Sequence, residues 1–247
     1  MFPIRDHNPS GRVPYVTYAL IAANILIFIA NWHLQNDPRA QLNFYASYAL
    51  VPSFISQGFG FEGFVTSLFL HGGVMHLAGN MLFLFIFGDN IEDELGHFRF
   101  ALFYLAAGVG AGLVHYMSGP FSNVPTVGAS GAIAGVMGGY LLLFPKARVD
   151  ILLFLIIFIR VFPVPAWLML MLWFGMQIFG GIGSDPNGGG VAYWAHAGGF
   201  LIGLALICPV WLRRGGAELW QRSHGHPPHP ETRYPHSITQ IPRIPRK

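Results

Sequence analysis

Apolar residues in this chain fall into long runs rather than alternating stripes. Six stretches, 14–32, 72–90, 98–117, 126–144, 163–183 and 191–212, are almost continuously apolar. A bilayer core takes about 17–25 such residues per helix, so the pattern predicts six membrane-spanning helices and an all-α membrane protein. A shorter run, 151–159, precedes Arg160, Pro163 and Pro165. It is too short to span and reads as an interfacial stretch leading into the fifth helix. The first run is too long and too late in the chain for a cleavable signal peptide. The loop 33–71 is long and carries Phe44, Tyr45, Tyr48 and Phe54, which suits a segment lying partly in the membrane interface. The loop 184–190 is short and Gly-rich, as expected of a cap that moves.

Composition agrees with the runs. Only 10% of the 247 residues are charged and 53% are hydrophobic, whereas a soluble domain carries about 25% charged residues. Basic residues flank the spans unevenly. With the N-terminus inside, Arg5, Arg12, Arg99, Lys146, Arg148, Arg160 and the tail from Arg213 to Lys247 are cytoplasmic, and Arg39 alone is external. The positive-inside rule therefore predicts both termini in the cytoplasm, and the expected location is a bacterial inner membrane. The net charge of +3 reflects this topology, and nothing in the pattern suggests nucleic-acid binding. One cysteine, Cys208, excludes a disulfide framework and a Cys-based zinc site. His224, His226, His229 and His236 have a proline-interrupted spacing that suits no tetrahedral metal site. Three regions follow: a cytoplasmic segment 1–13, a six-helix domain 14–213, and a basic Pro/His-rich tail 214–247 expected to be disordered.

Polar groups at membrane depth are functional candidates. Reckoned by helical rise, Ser130 in the fourth run, His196 in the sixth, and His76 and Asn80 in the second all lie within about 12 Å of the outer end of their spans. His76 and Asn80 are spaced i, i+4 and share a helix face. This inventory suits acyl transfer. A serine hydroxyl becomes nucleophilic when a histidine takes its proton, and the resulting oxyanion needs donors. Asn80, His76 and the backbone N–H of Ser130 are the candidates. No carboxylate lies at that depth, which predicts a Ser–His dyad with no acidic third member. Gly131, Gly135 and Gly139 form one small-residue stripe, and Ala195, Gly199 and Gly203 form another. Such stripes let membrane helices approach closely.

Gly128-Ala-Ser130-Gly131, Ala195-His196-Ala-Gly-Gly199 and His71-Gly-Gly-Val-Met-His76-Leu-Ala-Gly-Asn80 resemble the three signatures of the rhomboid intramembrane serine proteases, in the same order and on the same spans. The stretch from Glu92 to Phe100 and the run Trp173-Phe-Gly-Met-Gln177 also resemble that family. The resemblance extends from about Pro14 to Arg213. It implies a six-helix rhomboid bundle with Ser130 as nucleophile, His196 as general base, and His76 and Asn80 as oxyanion donors. Two positions depart from the pattern. Glu62-Gly63 stands where many relatives carry Trp-Arg. Ala134 stands where many carry an aromatic that stacks on the histidine, so what orients the His196 ring is left open.

The activity expected is an intramembrane serine endopeptidase without metal or organic cofactor. It would act on single-span or polytopic membrane proteins near the extracytoplasmic face of the lipid bilayer. Two other functions fit a polytopic chain less well. A small polytopic transporter would need polar groups through the full depth of the membrane. A catalytically inactive rhomboid-like protein that binds clients would not need both Ser130 and His196.

Overall fold

The apolar runs become helices. A computed structural model describes residues 2–155 and 158–234. Six apolar helices occupy the six runs: α1 (Tyr15–Ala30), then, after the short α2 (Pro38–Tyr48), α3 (Pro52–Ser56) and α4 (Gly63–Thr66), come α5 (Val74–Leu95), α6 (His97–Ser118), α7 (Ser130–Leu143), α8 (Ala166–Ile182) and α9 (Tyr193–Arg213). Of these, α5, α6 and α9 are long and apolar enough to cross a membrane, while α1, α7 and α8 are apolar but shorter.

At the centre is α7, in which every residue from Gly131 to Tyr140 is buried. A helix apolar on all sides belongs inside a bundle. Small residues allow it. A Cβ on Gly199 would lie 2.0 Å from the Gly131 carbonyl oxygen, one on Gly203 2.0 Å from that of Gly135, and one on Gly138 2.1 Å from that of Phe200. Backbones this close admit no side chain. The stripe expected on the fourth run is corrected here. The third close-approach glycine is Gly138, whereas Gly139 faces the side chains of Phe103, Ile91 and Ile207 at ordinary contact distances. Aromatic residues fill the other side of the core, with Phe87, Phe100, Tyr104 and Tyr140 fully enclosed.

The other elements differ from a purely helical plan. Strands β1 (Phe2–Asp6), β2 (Arg148–Leu155) and β3 (Phe158–Pro165) form an antiparallel sheet in the order β1-β2-β3. The run read as an interfacial stretch thus falls within a β-hairpin. Its β-branched residues Val149, Ile151, Val161 and Val164 suit strands. Pro163 and Pro165 are tolerated because β3 is an edge strand, and they delay α8 until Ala166. The loop 33–71 carries its own helices. Asp37 caps α2 by accepting from the amides of Arg39 and Ala40 at 3.1 and 3.0 Å, with Pro38 at the first helical position.

The sheet lies at the end of the bundle where α1 begins and α5, α7 and α9 finish. Polar contacts there tie the termini to the helices. The Glu92 carboxylate is 1% exposed, yet it accepts from the amides of Val16 (2.9 Å) and Thr17 (2.7 Å), the Thr17 hydroxyl (2.7 Å) and His97 Nδ1 (2.5 Å). These donors offset the cost of burying the charge, and the charge favours the positive N-terminus of α1. Asp93 accepts from the Gly11 amide at 2.7 Å, and Glu94 pairs with Arg214.

The tail also departs from expectation over its described part. A helix, α10 (Ala217–Ser223), follows α9. Trp220 packs at a tilt against Trp211, ring centroids 5.0 Å apart, and donates to the Leu142 carbonyl at 2.9 Å. Further on, the Thr232 amide donates to the His7 carbonyl at 3.0 Å, and Arg5 lies 3.8 Å over the Tyr234 ring. Few large apolar residues were needed, because the docking uses one tryptophan and a series of polar contacts. Residues 235–247, also expected to be disordered, lie outside the described residues.

Candidate functional site

At the opposite end of the bundle, the starts of α5, α7 and α9 surround a cavity of about 540 Å³. Ser130 is the first residue of α7, after Ala129 at the N-cap. The span expected from 126 therefore turns helical four residues late. Thr126 is instead held extended, in a bridge with Leu50. The depth of Ser130 follows from the helix start, not from helical rise through 126–129. Its N–H belongs to the first turn, where amides have no partner within the helix.

His196 stands in the first turn of α9, and its Nε2 is 2.8 Å from Ser130 Oγ. The glycine contacts between α7 and α9 bring the two side chains together, since both follow from the same close approach of backbones. A hydroxyl in hydrogen-bond contact with an imidazole is suited to proton transfer from Oγ to nitrogen as the oxygen attacks an electrophile. On its far side, His196 Nδ1 is 2.9 Å from Gln177 Oε1. The ring of Trp173 lies 5.8 Å from the imidazole at 32°. These α8 side chains occupy the orienting role that Ala134, fully buried in α7, has no atoms to fill.

His76 and Asn80 face the same cavity from α5. His76 is exposed at the mouth, and its Nδ1 accepts from the Gly72 amide at 3.4 Å, which leaves Nε2 free to carry a proton. Asn80 is 7% exposed, and its Nδ2 donor is buried with no hydrogen-bond partner among the described residues. A buried donor without an acceptor is costly in a resting protein, so this group suits a visiting oxygen. Gly128 makes the room. Its φ of +128° disfavours any side chain, and a Cβ there would lie 2.7 Å from His76 Nε2 and 3.6 Å from Ser130 Oγ. His76 and Ser130 border that space and Asn80 lines the same cavity, so the donors expected for an oxyanion, His76, Asn80 and the Ser130 N–H, belong to residues of one cavity.

All four predicted side chains meet at this one cavity. A Rhomboid domain family pattern matches residues 58–213 of the chain, a stretch that contains every one of them. The chain belongs to the rhomboid family. It is 31% identical over 196 residues to the mitochondrial rhomboid protein 1 of Saccharomyces cerevisiae, covering 76% of this chain and 51% of that protein. It is 37% identical over 128 residues to the rhomboid protease GluP of Bacillus subtilis, covering 52% and 24%. It is 30% identical over 210 residues to the mitochondrial presenilin-associated rhomboid-like protein of Mus musculus, covering 81% and 48%. The chain spans between about a quarter and a half of the length of these relatives. Their names include two mitochondrial proteins, and another relative is a chloroplastic rhomboid-like protein of Arabidopsis thaliana. The apolar helices agree with a rhomboid membrane protein, but the expectation of a bacterial inner membrane finds no support in these relatives.

Other residues of the site were not read from the sequence as parts of it. Gln177 and Trp173 entered only through a resemblance to a fifth span, although a Gln at membrane depth is itself a signal. His115, expected at the interface, lines the cavity and is 2.7 Å from the Thr126 hydroxyl through Nε2. The cap loop is anchored, since the Ser122 hydroxyl donates to the Pro186 carbonyl at 2.6 Å. His71 lies edge-on to His76 at 5.1 Å, and neither of its ring nitrogens has a partner among the described residues.

Proposed function

We propose that this rhomboid-family chain is an intramembrane serine endopeptidase. The 2.8 Å contact between Ser130 Oγ and His196 Nε2, beside the Asn80 Nδ2 donor without an acceptor, carries the reading. Ser130 Oγ attacks the scissile carbonyl carbon while its proton passes to His196 Nε2. The carbonyl oxygen becomes an oxyanion and receives hydrogen bonds from Asn80, His76 and the Ser130 amide. The imidazolium returns the proton to the departing amine, and the C–N bond breaks. Water then attacks the acyl-enzyme by the same proton route, releasing the acid and restoring Oγ–H. The chemistry asks for no metal or organic cofactor.

In this account the six apolar helices all cross the bilayer, both termini are cytoplasmic, and the cavity opens toward the extracytoplasmic face, where hydrolytic water is available. Substrates are single-span or polytopic membrane proteins. Their spans must unwind to reach Ser130, because a helical carbonyl is already hydrogen-bonded. Gly or Pro in the client makes unwinding easier, and the confined space beside Gly128 favours a small residue before the cut. The client enters past α8, beneath the loop 184–190.

The test is covalent labelling with a fluorophosphonate, which phosphonylates an activated serine and releases fluoride. Wild-type protein should be labelled. Ser130→Ala should not, and His196→Ala should label at least about 100-fold more slowly. Equal labelling of wild type and Ser130→Ala would overturn the assignment.

A further inference from the structure

A Ser–His pair works as nucleophile and base only if the imidazole presents its lone pair to the hydroxyl. A neutral imidazole has two tautomers, and the bond made by the other nitrogen selects between them. In serine hydrolases an acidic residue often makes that selection. Here the residue opposite His196 Nδ1 is the amide of Gln177, which is 6% exposed. An amide can face an imidazole in either sense, so its orientation must be decided by its own second partner.

That partner is the backbone. Gln177 Nε2 lies 3.1 Å from the carbonyl oxygen of Trp173, one turn earlier on α8. A carbonyl only accepts, so the amide nitrogen must face Trp173. The opposite placement would set two oxygens against each other. Oε1 must then face His196, and it also only accepts. His196 Nδ1 must therefore carry the proton, which leaves the lone pair on Nε2, 2.8 Å from Ser130 Oγ. Donation runs one way, from the serine hydroxyl through His196 and Gln177 to the α8 backbone carbonyl, with no ambiguity at any link. The Trp173 ring across the imidazole face limits ring rotation at the same time.

From this chain we infer that Gln177 is a positioning residue, the third member of the set Ser130–His196–Gln177, and that it fixes the base-competent tautomer of His196. The inference rests on the serine-protease reading. Titratable groups around His196 are His76 on α5, His115 on α6, Asp185 in the 184–190 loop and Tyr193 on α9, all lining the same cavity. Asp185 Oδ1 accepts from the Asn187 amide at 2.9 Å, and among the described residues no carboxylate is hydrogen-bonded to His196. The amide of Gln177 is thus the group that orients the ring. Because it comes from α8, which packs chiefly on α9, the base is competent only while α8 lies against α9.

The experiment compares wild type, Ser130→Ala, Gln177→Leu and Gln177→Glu in full-length protein, by hydrolysis of a transmembrane reporter as a function of pH. Loss of the amide in Gln177→Leu should lower kcat by about 10–1000-fold with KM within about threefold, because the ring loses its orientation while the substrate contacts remain. Gln177→Glu retains an acceptor and should recover at least about a tenth of wild-type kcat. Its added charge should move the acidic limb of the kcat/KM profile upward by about 1 pH unit or more. A wild-type kcat and pH profile in Gln177→Leu would overturn the inference. So would equal losses in the two variants with an unmoved acidic limb, the outcome of a purely structural role. If Gln177→Leu does not fold, the limb of Gln177→Glu decides alone. Wild-type protein no more active than Ser130→Ala would instead reject the protease reading itself.

Discussion

Gly128 shows how much of the site depends on an atom that is missing. With φ at +128° and a would-be Cβ 2.7 Å from His76 Nε2, any side chain closes the space beside Ser130. Gly128→Ala is therefore expected to lower turnover by about 100-fold or more, in line with losing an oxyanion donor. The check is kcat on a reporter, with helix content by circular dichroism to verify folding; near-wild-type kcat would remove Gly128 from the account. Asn80→Ala should lose about 10–1000-fold in kcat with KM nearly unchanged, because the proposed mechanism uses its donor in the transition state. At this scale the sequence was informative. The polar groups Ser130, His196, His76 and Asn80 stand out against apolar neighbours. Gln177 is polar within an apolar run too, but its role was not legible, because it depends on which helix α8 lies beside, and spacing within one run carries no such information.

Among the elements, the contact between α7 and α9 decides whether a site exists. Gly203 faces the backbone of Gly135, so Gly203→Val requires the helices to part and should prevent folding or lower stability by at least about 3 kcal/mol. Gly139→Ala meets only movable side chains at 3.4 Å or more and replaces a weak helix former. It should leave stability unchanged or raise it by up to about 1 kcal/mol. Thermal unfolding in one detergent checks both, and equal destabilisation would show that the two glycines share an environment. The stripe was legible as a repeat of small residues. Its phase was not, because spacings of three and four both continue a helix face and only the partner's crossing angle selects Gly138. The β2–β3 hairpin was hidden for another reason. A short apolar run fits a buried strand or an interfacial helix equally well, and its pairing with β1 joins residues nearly 150 positions apart.

For the whole molecule, the end remote from Ser130 acts as a clasp. Asp6 accepts from the Tyr140 hydroxyl at 2.7 Å, and burial, with Asp89 nearby, pushes its carboxyl up to about 8. A folded-state value above the unfolded one means that the folded protein holds more protons. Asp6 therefore contributes stability at low pH that is lost as pH rises from about 4 through about 8. Asp6→Asn keeps an acceptor for Tyr140 without the charge, so its melting temperature should gain on wild type between pH 5.5 and 8.5. A constant difference across that range would contradict this reading. Asp150 works oppositely. Burial raises its carboxyl, but His7 and Arg5 outweigh that and hold it below its ordinary value. The tail belongs to this clasp through Trp220, Thr232 and Tyr234. Removing residues 215–247 should lower thermal stability while leaving kcat of the folded protein within a few-fold, since no reacting group lies there.

The central claim is that Ser130 and His196 cut a peptide bond inside a membrane segment. Its most direct test is purified full-length protein in liposomes with a transmembrane reporter, the products mapped by mass spectrometry. The account predicts a single cut near the extracytoplasmic end of the span, made by wild type and abolished in both Ser130→Ala and His196→Ala. A cut that persists in Ser130→Ala, or no cut by wild-type protein on reporters with and without helix-breaking residues, would contradict it.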